Sequence, residues 1–301
     1  MPAIPRPPPI ILPITALTST PPVTDEGRLV DIGQPLSLRA YLADLWRHRS
    51  LMVELARADL KQRHVDTALG NVWYFLNPLL LTAIYFWIFV VILKTNRGLG
   101  NVAFLPYLAI SVGLFRFVQR ATMSGAKSLI VNSRLVRLVR FPRAVLPMSG
   151  VLAELGAVGP ALIVGVVVAV VAGEPPGFDW LLLIPASVLL AVFVVGLSLF
   201  AARLAESSGD VINLLPWIFR ILFYLSGVIY SVERFIDQEW QRDLFLINPL
   251  HSLLSLVRYP VVPDASPISW TLFGVAVAWT VVTLLAGLWF FRGGEAEYGR
   301  E

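Results

Sequence analysis

Four arginines stand at three-residue intervals in the stretch NSRLVRLVRFPRAVLP, Asn132 to Pro147: Arg134, Arg137, Arg140 and Arg143. No acid lies among them. A guanidinium is a planar fork that holds carboxylates or phosphates. A cluster this dense can therefore engage lipid phosphates or an acidic protein surface. Three more ionisable groups, Arg116, Glu154 and Arg220, stand inside long apolar runs. Charges at such positions usually face a bundle interior or a water-filled path. An ion pair between Arg116 and Glu154 accounts for two of them equally well, and Arg220 is placed to meet a diphosphate or sugar hydroxyls. Rings form the third group: Tyr85, Phe86, Trp87 and Phe89 in one run, Trp217, Phe219, Phe223 and Tyr224 in another. Sugar C–H faces stack on such rings, although packing against lipid explains them as simply. The nearest approach to a catalytic set is Asp237, Glu239 and Asp243 around Trp240, and a solvated loop accounts for these carboxylates better than an enzyme does.

The elements that must position these groups follow from composition. The chain has 301 residues, of which 56% are apolar and 15% charged. A soluble domain carries about 25% charge, so this is the composition of a polytopic membrane protein. There is no cysteine, and His48, His64 and His251 are scattered, so no metal site is expected. Residues 1–36 begin MPAIPRPPPI and read as a flexible, Pro-rich arm, because prolines break the apolar run that a signal peptide needs. Residues 37–301 then form the membrane domain. About 20 apolar residues cross a bilayer as a helix, and six runs qualify: 75–93, 102–118, 145–173, 180–202, 211–230 and 270–291.

Basic residues set the orientation. Residues 38–63 hold Arg39, Arg47, Arg49, Arg57, Lys61 and Arg63, and 126–143 hold Lys127 and the four arginines, whereas 232–269 hold five acids against three bases. Both termini and the arginine cluster are thus expected in the cytoplasm, with 94–101, 174–179 and 232–269 outside. Lys94 and Arg97 depart from this pattern. The arginine cluster is then either an ordinary basic loop or, since Pro142 and Pro147 punctuate it, a short docking element. Residues 37–64 alternate apolar and charged positions at helical spacing and predict an amphipathic helix, in one or two pieces, lying in the interface. The segment 232–269 is too long for a turn and too polar to cross. Its part LFLINPLHSLLSLVRYPVV is expected to dip into the outer leaflet as a re-entrant hairpin broken at Pro249 and Pro260.

The stretch RADLKQRHVDTALGNVWYFLNPLLL, 57–81, resembles the signature of permease subunits of ABC-2-type polysaccharide exporters, which include O-antigen, teichoic acid and actinobacterial galactan exporters. Asp59, Lys61, Arg63, Leu69, Gly70, Trp73, Pro78 and Leu79 match it. His64 replaces the usual Tyr and Thr67 the usual Ser. NSRLVRLVRFPRAVLP, LFYLSGVIY (with Gly227 in place of a proline) and INPLHSLLSLVRYPVV are similar to three further family segments, in the same order. The resemblance implies a half-transporter: a homodimer paired with two copies of a separate ATPase subunit. That subunit would bind ATP and Mg, and this chain would hold no cofactor. It is in keeping that no phosphate-binding loop is present in the sequence; GAKS, 125–128, lacks the required spacing.

The resemblance further implies the bacterial inner membrane, a lipid-linked glycan as cargo, and no nucleic acid. It makes Arg134, Arg137, Arg140, Phe141, Pro142 and Arg143 the coupling helix that meets the ATPase. Arg57, Asp59, Lys61 and Arg63 would lie on the interfacial helix. Tyr85, Trp217, Arg220, Phe223 and Tyr224 would face the conduit, because spans one and five line it in such exporters. A permease of the same superfamily for a drug, lipid or haem is the alternative. A membrane glycosyltransferase or a proton-coupled carrier fits less well; the sequence has no convincing inverted repeat of the kind such carriers show.

Overall fold

The computed structural model describes residues 37–62, 69–92, 94, 101–139, 141–232, 236, 238–295 and 298. The 1–36 arm, Arg63, Arg140, Arg97 and Asp237 lie outside the described residues, as does the side chain of Glu239. The chain is helical, with no strand among the described residues.

Two short helices open it, α1 (Leu38–Arg47) and α2 (Arg49–Gln62). The Ser37 hydroxyl accepts from the Ala40 N–H at 3.3 Å and so satisfies a donor that the first turn leaves over. The two-piece form of the expected amphipathic segment comes from a break at His48, whose ring and main chain both turn back to the Asp44 carbonyl. Next come α3 (Trp73–Phe86), running on into a looser π-type stretch at Trp87–Ile92, and α4 (Asn101–Val131). Then follow α5 (Ser133–Leu138), α6 (Val145–Val171), α7 (Leu183–Ser207) and α8 (Asp210–Leu225). The chain closes with α9 (Glu239–Ile247), α10 (Pro249–Arg258) and α11 (Trp270–Gly293).

Four stretches are long and apolar enough to cross a bilayer: Trp73–Ile92, Val145–Val171, Phe178–Ser207 and Trp270–Gly293, with mean hydropathy 2.2, 2.3, 2.6 and 2.0. They correspond to expected spans one, three, four and six. Expected spans two and five correspond to α4 and α8. With 31 residues α4 is about 46 Å long, but it carries Arg116, Arg120 and Lys127. With 16 residues α8 is about 24 Å long, short of the roughly 30 Å hydrocarbon core.

Two boundaries differ from the sequence reading for physical reasons. The second span does not end near 118. Helical spacing continues through Gln119, Arg120 and Lys127 to Val131, so much of the presumed loop is helix. The fifth does not reach 230, because Gly227 adopts φ +60, a left-handed conformation that stops a helix and suits glycine.

The long α4 is the hub, packing against α6 and α7 and, less extensively, against α3, α8 and α10. Its buried Phe104, Tyr107, Leu108, Leu114 and Phe115 belong to the main core. The helices α7 and α11 approach closely where Gly196 and Gly287 meet; a Cβ on either would run into the opposing backbone. By contrast, only 6% of the most apolar stretch of Trp73–Ile92 is buried, against 35, 39 and 22% for the other three. The helix α8 is similarly bare, with Leu214, Trp217, Ile221 and Tyr224 exposed and only Phe219 buried.

The segment expected to form a re-entrant hairpin is a helix pair. Asn248 ends α9 and caps α10, its Oδ1 accepting from the Leu250 N–H at 3.0 Å, and Pro249 fits the first helical turn. Residues Leu250–Arg258 are all buried, against α4, α7 and α11. Trp279 donates to the Ile247 carbonyl at 2.8 Å and Asn248 to the Leu225 carbonyl at 2.9 Å, which ties the pair to α11 and to the end of α8.

Candidate functional site

Three clusters hold side chains that the sequence singles out, and a fourth holds side chains that it does not. The first surrounds α5. This helix has only six residues, so Phe141, Pro142 and Arg143 lie beyond it rather than within one continuous element. Val136 is buried in a small core with Leu129, Leu146 and Phe291. Arg134, Arg137 and Leu138 point outward, Leu138 being 83% exposed. Two cations and a leucine standing free make a surface able to enter an acidic, partly apolar cleft.

Arg143 faces the other way. Its main-chain N–H donates to Glu295 Oε1 at 2.8 Å and its guanidinium to the Glu295 carbonyl at 2.6 Å. Tyr41 of α1 donates to the same Oε1 at 3.3 Å, and the Arg292 guanidinium lies 5.1 Å from the Tyr41 ring centre. The Tyr298 ring has Arg143 at 5.8 Å and Arg203 at 5.3 Å, and its hydroxyl donates to the Phe291 carbonyl at 2.7 Å. One corner thus ties α1, the segment after α5, the end of α7 and the segment after α11 together. Burial pushes the Tyr41 and Tyr298 hydroxyls well above their ordinary range, the neighbouring Glu295 charge adding to both. Burial also raises the Glu295 carboxyl, against the lowering effect of the Arg143 N–H, the Tyr41 hydroxyl and the Arg143 and Arg292 charges. A raised carboxyl means that the folded corner holds its proton more tightly than the unfolded chain. Its contribution to stability is then largest at low pH and declines as pH rises from 4.5 through the raised value. Sequence reasoning missed Glu295 and Tyr298, because a partner 152 positions away leaves no local pattern.

This corner yields a test. Glu295→Ala leaves the half-buried Arg143 N–H without its carboxylate and is expected to destabilise the protein by about 1–3 kcal/mol. Glu295→Gln keeps an acceptor there and is expected to cost less than about 1 kcal/mol. Thermal unfolding in detergent measures both; equal melting temperatures for all three proteins would show that the tail does not hold the corner.

The second cluster joins rings from three helices. Tyr85 of α3 stacks on Phe223 of α8 with centroids 5.8 Å apart, and Phe223 meets Phe115 of α4 edge-on at 5.2 Å. Tyr224 adjoins Phe223 at 5.5 Å, Phe219 adjoins Phe115 at 6.2 Å, and Phe89 follows Tyr85 at 6.4 Å. The rings expected to share a path, Tyr85, Phe223 and Tyr224, are thereby brought together. Trp217 and Arg220 stand apart from this strip, both exposed, the guanidinium 4.6 Å from the indole centre.

The third is a cavity of about 300 Å³ between α3, α4 and α6, continuous through Arg116, Arg120 and Glu154 with an open cleft of about 510 Å³ that extends to Lys127. Arg116 and Glu154 share this cavity, but Arg116 has no ion pair or hydrogen bond among the described residues, so the expected pairing of the two is absent.

The fourth is a buried knot that the sequence concealed. Arg258, 1% exposed, donates to the Gly227 carbonyl at 2.7 Å, to Ser111 at 3.1 Å, to Ser255 at 2.8 Å and to the Tyr107 hydroxyl at 2.5 Å. Tyr107 in turn donates to the Gly227 and Tyr230 carbonyls. Four neutral groups therefore hold a guanidinium that has no carboxylate partner among the described residues. Of the interfacial set, Arg57 pairs with Glu54 at 3.2 Å on an exposed face, and Lys61 is exposed.

The bundle, its four spanning stretches and its sequence together define the class: the chain belongs to the ABC-2 type transporter family, whose description matches residues 51–262. It is thus a membrane-spanning transporter subunit. It is 26% identical over 264 residues to the O-antigen export system permease protein RfbA of Myxococcus xanthus, covering 85% of this chain and 96% of that one. Two proteins of the same name from Klebsiella pneumoniae are 28% identical over 209 and 211 residues, each match covering 68% of this chain and 77% of the relative. This is the family to which the sequence motifs point.

Proposed function

We propose that the chain is the membrane half of an ATP-driven exporter that carries a lipid-linked polysaccharide, of the O-antigen, teichoic acid or galactan type, out of the cytoplasm across a bacterial inner membrane. Two copies form the path and two copies of a separate ATPase subunit, which binds ATP and Mg, drive it. In this reading α4 and α8 join the four long apolar stretches to give six crossings. Both termini face the cytoplasm, residues 1–36 form a Pro-rich arm, α1 and α2 lie along the inner interface, and α5 docks on the ATPase through its outward Arg134 and Arg137, with Arg140 following it, while Arg143 stays in the Glu295 corner.

The observation that carries the reading is the ring strip from α3, α4 and α8. Tyr224 is exposed and Tyr85 and Phe223 are half-buried, so these three rings offer a polysaccharide stacking surfaces without demanding one sequence of sugars, while Phe89, Phe115 and Phe219 back them from the core. Tyr85, Phe223 and Tyr224 lie on the two helices with the barest apolar faces, α3 and α8, where a second copy would close the path around a two-fold axis. The names of these relatives, O-antigen export permeases, support a polysaccharide cargo.

Replacing Tyr85, Phe223 or Tyr224 by Ala removes a stacking surface worth about 0.5–1.5 kcal/mol by analogy with aromatic pairs. Export is expected to slow several-fold, with the dimer and ATP binding intact. Leu at the same positions keeps most of the volume and loses the flat face, so it is expected to slow export as well. Leu and Ala variants that both export at the native rate would move the path away from these rings.

A further inference from the structure

Three cations lie on one stripe of α4. At 100° per residue, Arg116, Arg120 and Lys127 fall within about 40° of one another, and Arg116 to Lys127 spans about 16 Å along the axis. All three are exposed, and none has an ion pair or hydrogen bond among the described residues. Arg116 sits at the midpoint of the 31-residue helix, where an uncompensated cation in hydrocarbon is costly. The stripe does not face featureless surface. It borders the open cleft of about 510 Å³, and at Arg116 and Arg120 it enters the cavity of about 300 Å³. Away from the cations and Glu154 that cavity is mostly apolar, walled by Leu81, Ile84, Val112, Phe117, Val158 and Ala161, with Tyr74 and Asn77 as its other polar side chains. Among the described residues Glu154, 4% exposed, is the one carboxylate that borders both spaces, so there the cations outnumber the acids three to one.

A slot with cations along its open side and an apolar interior fits a molecule with a phosphate at one end and a hydrocarbon chain at the other. Sugars alone would leave the apolar wall uncovered, and a free phosphate would leave the cavity unfilled. We infer that Arg116, Arg120 and Lys127, with the cavity between α3, α4 and α6, form a binding site for the phosphate head group and proximal chain of an anionic amphiphile. Two sources share this chemistry: the phosphate-bearing lipid to which a glycan cargo is attached, and a bilayer phospholipid. Assignment to the first rests on the export reading above; the site itself does not.

The test uses the full-length protein purified in a neutral detergent, with dodecyl phosphate as probe and binding followed by isothermal titration. Dodecyl phosphate is expected to bind saturably, and dodecanol and inorganic phosphate at least tenfold more weakly. Arg116→Gln with Arg120→Gln is expected to weaken dodecyl phosphate about tenfold or more. Arg116→Lys with Arg120→Lys, which keeps both charges, is expected to retain binding within a few-fold and serves as the readout if the Gln variant fails to fold. Binding unchanged in the Gln variant overturns the inference; so does binding lost in a folded Lys variant, or dodecanol binding as tightly as dodecyl phosphate. Competition then separates the sources: displacement by a polyprenyl diphosphate in preference to phosphatidylglycerol assigns the site to the cargo's lipid, and the reverse order assigns it to the bilayer, the site standing either way. A native protein that binds the probe but, with its ATPase, moves no glycan contradicts the export reading and leaves this site intact.

Discussion

Arg134→Glu together with Arg137→Glu is expected to reduce export at least tenfold while the protein stays folded and in the membrane. Both side chains point outward from α5, and neither makes a hydrogen bond or ion pair among the described residues. Surface changes of this kind ordinarily alter stability by no more than about 0.5 kcal/mol. Loss of a charge that docks in an acidic cleft typically costs about 2–5 kcal/mol, and reversal adds repulsion. Val136 stays in its core, so the helix keeps its place. The expected signature is a protein of native melting temperature that releases its ATPase, or keeps it with ATP hydrolysis no longer linked to export. Native export by the double variant would reduce the arginine cluster to a topology signal.

Arg258→Ala is expected to have the largest effect on stability. The side chain donates to a main-chain carbonyl and three hydroxyls in a space with almost no solvent access. Its removal leaves a cavity and unsatisfied groups, together worth about 3 kcal/mol or more. For a chain of this size that lowers the melting temperature by several degrees. Arg258→Met refills most of the volume without the charge and is expected to recover part of the loss, because replacing a buried charge by an apolar group of like size is often tolerated. An Ala variant that melts with the native protein would show that the knot does not hold α10 against α4 and the Gly227 turn.

The sequence made the spanning helices legible where apolar length alone decides. The last span was expected at 270–291 and is Trp270–Gly293, with Ser269 capping its start through the Leu272 N–H. It failed where polar residues sit on a helix. Lys127 was grouped with the basic segment 126–143 rather than with the second span, yet its spacing continues the α4 stripe. Gly227 was noticed as a substitution for proline in a family segment, although its φ of +60 is what shortens α8. Among site residues, Tyr85, Phe223 and Tyr224 were legible as rings set deep in apolar runs. Arg258 was not, because three of the groups that hold it, Tyr107, Ser111 and the Gly227 carbonyl, lie 31 to 151 positions away in the sequence. Glu295 and Tyr298 lie in a polar tail whose partners, Arg143, Tyr41 and Arg203, are distant in sequence. Long-range pairing of this sort leaves no periodicity to read.

As proposed above, this chain works with a separate ATPase to move a polysaccharide on a lipid across the membrane. The most direct measurement reconstitutes the chain with its co-purified ATPase in proteoliposomes of defined orientation. A lipid-linked glycan of O-antigen type is supplied on the ATPase side, and the glycan that becomes inaccessible to an added glycosidase is followed. Glycan uptake is expected to require ATP and Mg and to fall at least tenfold when Arg134 and Arg137 are reversed. Uptake that proceeds equally without ATP, or ATP hydrolysis that transports no glycan while a lipid or drug without sugars crosses, would contradict this reading.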